Sequence, residues 1–111
     1  MNWYVTKLIF RIISGDGQHP AQFDEQLRLI NADSEHTAFE KAKKIGLDIQ
    51  ETFNRAQKQV VKWLFVDVTE INPLNGLSDG TELHYQIHEA KDADLYIAWA
   101  HHKSALLTIK G

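Results

Sequence analysis

Six histidines and no cysteine bound the chemistry open to this 111-residue chain. Without a thiol there is no disulfide, no thiolate metal site and no cysteine nucleophile. His84 and His88 are four positions apart, a spacing that on a helix places two imidazoles on one face, as in zinc sites. Their surroundings alternate instead: Leu83, Tyr85 and Ile87 interleave with Glu82, His84, Gln86 and His88. That is a strand pattern, and four residues of strand span roughly 13 Å, too far for two direct ligands of one ion. No metal and no cofactor is therefore expected. His101 and His102 are adjacent and would diverge by about 100° on a helix. His19 and His36 stand alone and receive no role. Ser14, Ser34, Ser78 and Ser104 lie in no nucleophile elbow. Gly15-x-Gly17 lacks the third glycine of a phosphate-binding turn, and Asp24-Glu25 read as solvated charges near a strand start.

What remains is binding chemistry. Lys7, Arg11 and Arg28 suit a carboxylate or phosphate, Trp63 offers a stacking surface, and Asp67 with His84 or His88 would form acid/base pairs. Whether these groups meet depends on the elements that carry them. Trp3–Ile13 and Val60–Val68 are dense in β-branched and aromatic residues and read as strands with demand for cover on both faces. Phe23–Ile30 reads as a second strand, with Phe23, Leu27 and Leu29 in phase. It pairs antiparallel with the first across the loop Ser14–Pro20. Asp33 or Ser34 caps a helix whose apolar stripe is Ala38, Ala42, Ile45, Ile49 and Phe53, with Glu35 in its first turn. Gly46 is a weak point within that helix, costing about 1 kcal/mol against alanine, or marks a close approach to the sheet. Thr81–Glu89 is the fourth expected strand, after a turn at Asn75–Gly80. Leu95, Trp99, His102 and Leu106 give a second helix from Asp92 or Asp94, against a competing fifth strand at Leu95–Ala100. The expected architecture is one α+β domain spanning 1–111: a four-stranded, largely antiparallel sheet in the order β-β-α-β-β-α, with two helices on one face.

Several of these residues carry a resemblance. Trp3-Tyr4-Val5 with Lys7 and Phe10, Phe23–Leu27 leading to Ile30 and Ala32, Ala38–Ala42 with Gly46, Trp63–Val68 and Asp79–Leu83 resemble a bacterial family known as domain of unknown function 4288. The resemblance covers roughly residues 3–90. It implies no activity.

If Leu8, Phe10, Leu27, Leu29, Leu64, Val66, Leu83, Tyr85 and Ile87 face the helices, the opposite side presents Trp3, Lys7, Ile9, Arg11, Gln26, Arg28, Trp63, Phe65, Asp67, His84, Gln86 and His88. In the alternative phase of the third strand, Val61, Trp63 and Phe65 point inward and Lys62, Leu64 and Val66 outward. A face mixing aromatics, arginine and apolar groups suits self-association, and a homodimer is the expected state. The competing functions are a pocket for a small anionic ligand, with or without catalysis, and a site for another protein. A net charge of −3 and pI near 6.0 argue against nucleic acid. The start Met1–Lys7 lacks the form of a signal peptide, and no run approaches the roughly 20 apolar residues of a membrane span. A cytoplasmic location is expected, which the absence of cysteine suits.

Overall fold

A computed structural model describes residues 1–15, 18–56 and 61–107. The loop positions Asp16 and Gly17, residues 57–60 and the last residues of the chain lie outside these. The order is β1 (Asn2–Ser14), β2 (Gln22–Ala32), α1 (Glu35–Ala56), β3 (Val61–Leu74) and α2 (Ala93–Ala105). The sheet is antiparallel with order β2-β1-β3, so the long apolar β1 is its central strand. Central placement satisfies the demand of β1 for neighbours on both edges.

The sheet is therefore three-stranded, where four strands were expected. Residues 81–90 form no regular element, despite their alternation. Alternation marks a strand only if a partner edge accepts it, and β3 is a poor template. It carries two irregularities opposite β1, between Lys7 and Leu8 and between Ile9 and Phe10. Each adds one residue, Thr69 and Val66, and such bulges bend a strand and disrupt its ladder.

The bulges also settle which side of β3 is covered. Phe65 pairs with Phe10, Val68 with Leu8 and Ile71 with Thr6, all on the helix side. Strict alternation would group Leu64, Val66 and Val68; two extra residues instead bring Trp63, Phe65, Val68 and Ile71 onto one face. Trp63 and Phe65 thus lie under α1 rather than on the open face. On β2 the phase is likewise opposite to expectation. Ile30 pairs with Tyr4 and faces α1, while Leu27 and Leu29, each 50% exposed, face away.

The core is built from Tyr4, Leu8 and Phe10 of β1, Ile30 and Ala32 of β2, Val68 of β3, and Ala38 and Ala42 of α1. Thr6 is the buried polar exception, and its hydroxyl is satisfied by donating to the Arg28 carbonyl at 3.0 Å. α1 starts at Ser34, whose Oγ accepts from Thr37 N at 3.1 Å, with Glu35 in the first turn. It runs unbroken through Gly46. Ala38, Ala42 and Gly46 recur every four residues and form the strip that meets the sheet.

α1 packs mainly on β3, with smaller contacts to β2 and β1, and it also closes part of the outer edge of β3. Asn54 Oδ1 accepts from Trp63 N at 2.8 Å and its Nδ2 donates to Trp63 O at 3.1 Å. Gln50 Oε1 accepts from Phe65 N at 2.8 Å. Two side-chain amides thus occupy groups that a fourth strand would have used.

α2 is a helix, as its spacing predicts, capped by Asp92 Oδ1 accepting from Leu95 N at 3.1 Å. The expected packing of two helices on one face is not observed. α1 alone covers the sheet, and α2 contacts none of the other elements. The reason lies on β2: beyond the reach of α1, its helix-side row is Asp24, Gln26 and Arg28. Their side chains bond to one another, and Trp63 Nε1 donates to Asp24 Oδ2 at 3.3 Å. That polar strip offers an apolar helix no seat.

Candidate functional site

The sheet face opposite α1 is open, and its composition follows from the register. Trp3, Val5, Lys7, Ile9 and Arg11 of β1 lie between Leu29, Leu27, Glu25 and Phe23 of β2 and Leu74, Asn72, Glu70, Asp67 and Leu64 of β3. Trp3 is 43% exposed and Phe23 56%. Single exposed apolar residues are ordinary on a protein surface, but this set is contiguous across two strands of one face.

At the centre of this face is an ion-paired cluster. Lys7 Nζ lies 2.8 Å from Glu70 Oε2 and 3.3 Å from Glu25 Oε1. His84 arrives from the segment after β3 and places Nε2 3.7 Å from Glu70 Oε2, with Nδ1 3.4 Å from Asn72 Nδ2. The Nε2 atom of His84 is buried and has no hydrogen-bond partner among the described residues. Lys7 holds the Glu70 carboxyl below its ordinary value of 4.5, with His84 adding a smaller effect in the same direction against partial burial. The two carboxylates, Glu70 first, hold the Lys7 ammonium above its ordinary 10.5.

The sign of the pH dependence follows. The depressed Glu70 stabilises the fold above the ordinary carboxyl range, and that contribution is lost as pH falls through its folded value. The raised Lys7 stabilises below 10.5 and loses its contribution as pH rises through its folded value. Urea midpoints of the wild type and Glu70→Gln should therefore differ at neutral pH and converge as pH falls below the ordinary carboxyl range. A constant gap across that range would place the effect of Glu70 elsewhere.

The other expected binding residues divide between places. Arg11 lies exposed on the open face, near Leu64. Asp67 lies at its β3 margin and turns back on its own strand, its Oδ1 accepting from Val68 N at 2.8 Å beside a bulge. Arg28 is on the helix side, donating through Nε and Nη2 to Gln26 Oε1 at 3.1 and 2.8 Å. Trp63 is a packing residue there, with its ring 4.1 Å from that of Phe53. His88 is in the C-terminal arm, its ring 6.4 Å from that of Tyr96. The structure therefore brings Lys7 and His84 together around Glu70 and separates Arg28, Trp63 and His88 from them. Among the described residues, no group of three His, Asp or Glu side chains is placed to hold one metal ion.

Sequence reasoning misses Glu25, Glu70 and Asn72 as members of this site. The one signal for Glu25 is that it disturbs the alternation at the start of β2; Glu70 and Asn72 follow bulges that no period reveals. His19, given no role by its spacing, holds the β1–β2 loop. Ser14 N donates to its Nε2 at 3.1 Å, and its Nδ1 lies 2.8 Å from Pro20 O. The two contacts together require the Nδ1–H tautomer.

Three concavities accompany these features. A cleft of about 260 Å³ at one end of the open face is lined by Val5, Leu27, Leu29, Leu74, Leu77 and Leu83 with Arg28, so the segment after β3 partly roofs that end. One of about 500 Å³ runs along α1 beside Ile45, Ile49 and Phe53, with Asp48 and Thr52. The third, of about 370 Å³, lies where Met1–Tyr4 meet Pro73–Asn75.

The fold and the site together define a small α+β protein with one sheet face covered by α1 and the other only partly covered, its central Lys7 matched by Glu25 and Glu70. The chain belongs to the family Domain of unknown function (DUF4288), which it matches over residues 3–85. That span takes in the sheet, α1 and His84, and ends before α2. No curated protein and no solved structure matches the chain. No helix among the described residues is long and apolar enough to cross a membrane.

Proposed function

We propose that this chain is a self-associating interaction module whose contact surface is the open sheet face. The observation that carries it is the phase of β2. Its more apolar row, Phe23, Leu27 and Leu29, faces away from α1, while Asp24, Gln26 and Arg28 face toward it. A strand that serves only its own core places its apolar row inward. An outward row of this kind suits a surface that is covered in the assembled protein, and homodimers are the commonest assemblies. The pairing of Lys7 with Glu25 and Glu70 fits the same use, because a charge entering an interface needs a partner. An anionic small ligand has thinner support. Lys7 is already matched by two carboxylates, and Arg28 and Trp63 are on the other side of the sheet.

Light scattering tests the proposal. The wild type should run at twice the chain mass of 12.7 kDa. Leu27→Asp should weaken association at least about thirtyfold, the size of a hot-spot loss. Leu27 is half exposed, so circular dichroism should show the fold retained. A wild type that stays at single-chain mass up to about 100 μM, where even weak dimers form, would overturn the proposal.

A further inference from the structure

α2 is a helix without a seat in its own chain. It buries no residue and contacts no other element. Leu95 and Trp99 are 69% and 54% exposed and share a stripe with Leu106, while Tyr96 and Ile97 point elsewhere around the cylinder. A helix that spreads apolar residues around its cylinder and buries none of them is normally one that packs against protein. The helix side of its own sheet is occupied by α1 and by the polar strip Asp24, Gln26 and Arg28. The open face offers an exposed apolar row, Phe23, Leu27 and Leu29, that α1 leaves uncovered.

The size of the chain points the same way. Its radius of gyration is 17.8 Å. A compact protein of this length has about 13 Å, and one of twice the length about 17 Å. One chain thus extends over the radius that two would fill.

We infer that α2 of one copy docks along β1 on the open face of a second copy, and the second returns the same contact, so that the dimer forms by exchange of C-terminal arms. The exchange rests on the open-face association proposed above and names the element that covers that face. Charge favours this placement. α2 is acidic at its start, with Asp92 and Asp94, and basic toward its end, with His101, His102 and Lys103. The face is basic at Arg11 and Lys62 and carries Glu25 and Glu70 around Lys7. Asp94 and Lys103 are separated by about 13 Å along a helix. Arg11 and the Lys7 row are separated by about 13 Å along a strand. A helix lying along β1 with its acidic start at Arg11 brings its basic end to the level of Glu25 and Glu70, with Asp94 and Lys103 on opposite flanks of the helix.

Stable dimers bury about 1,200–2,000 Å² in all, and the exchange supplies two helix-on-face contacts rather than one. The chain's own tether covers one end of its face at Leu77 and Leu83 and reaches the central Glu70 and Asn72 through His84, while α2 beyond it contacts no other element. Each copy donates one arm and receives one, so the contact closes at two copies.

The absence of native cysteine allows a direct test with a short bismaleimide. Leu27 lies in the Lys7 row, and His102 is on the Leu95–Trp99–Leu106 stripe. Copies bearing Leu27→Cys, mixed with copies bearing His102→Cys, should yield a cross-linked mixed dimer at least tenfold above either variant alone. A dominant Leu27→Cys homodimer would mean sheet against sheet, overturning the arm exchange while leaving open-face association intact. A dominant His102→Cys homodimer would overturn the exchange in favour of helix against helix. A chain bearing both substitutions that links only within itself, at single-chain mass, would overturn both proposals. Leu95→Ser with Trp99→Ser gives a second measure. Both residues are exposed in the single chain, so the fold should persist while the dimer Kd rises at least thirtyfold. An unchanged Kd would overturn the exchange and leave the face.

Discussion

Phe10→Ala should lower the unfolding free energy by about 3–5 kcal/mol, the cost of emptying an aromatic side chain from a packed core. Phe10 has no exposed surface and sits on the central strand, between Asp24 of β2 and Phe65 of β3. Its ring lies 5.6 Å from that of Phe65, tilted by 58°, a geometry in which edge meets face. Domains of this size have about 5–15 kcal/mol of stability in total, so one substitution removes a large share of it. Urea unfolding followed by tryptophan fluorescence measures the loss, with Trp63 reporting from the same layer. Phe10→Leu, which retains most of the volume, should cost distinctly less. Equal losses would show that the ring itself, rather than the space it fills, carries the stability.

Gly46→Ala should also destabilise, against the ordinary preference of helices. In an open helix the change would add up to about 1 kcal/mol. Here a Cβ at position 46 would collide with Cδ1 and Cε1 of Phe65 and lie 2.9 Å from its Cγ. Those atoms belong to a ring already packed on Phe10, so it has little room to yield. Overfilling a packed core costs about 1–3 kcal/mol, and the collision outweighs propensity. The sign separates two explanations of the glycine. A helix weak point predicts a gain from alanine; a close approach predicts a loss. Phe65→Leu should relieve the contact, so the double variant should lose less than the sum of the two single losses. Strict additivity would show that Gly46 and Phe65 do not meet.

Much of this fold is legible in the residues. β1, β2 and α1 follow from their composition, spacing and caps, and Ser34 and Asp92 sit where capping chemistry places them. The third strand is legible as a strand but not as a face. A period of two has meaning only while the ladder is regular, and Val66 and Thr69 interrupt it twice. β2 misleads for another reason. The more apolar phase is ordinarily the buried one, but α1 leans toward β3 and covers only Ile30 and Ala32 of the inner row of β2, leaving Asp24, Gln26 and Arg28 beyond its reach. Thr81–Glu89 has the alternation of a strand, but β3, the edge it follows, is bulged and partly occupied by Asn54 and Gln50. Of the site, Lys7 and His84 are visible as isolated groups. Their meeting around Glu70 is not, because a bulge sets Glu70 opposite Lys7 and an irregular segment delivers His84.

The amides of Asn54 and Gln50 that clasp Trp63 and Phe65 have an outcome larger than the three bonds they make. A β-layer with two bare margins can recruit a neighbour on each side and lengthen into a fibre. Here one margin is shut along its first half by groups that the helix itself supplies. Lateral stacking of layers has no second point of attachment there, so this chain is biased toward small finite particles over endless ones.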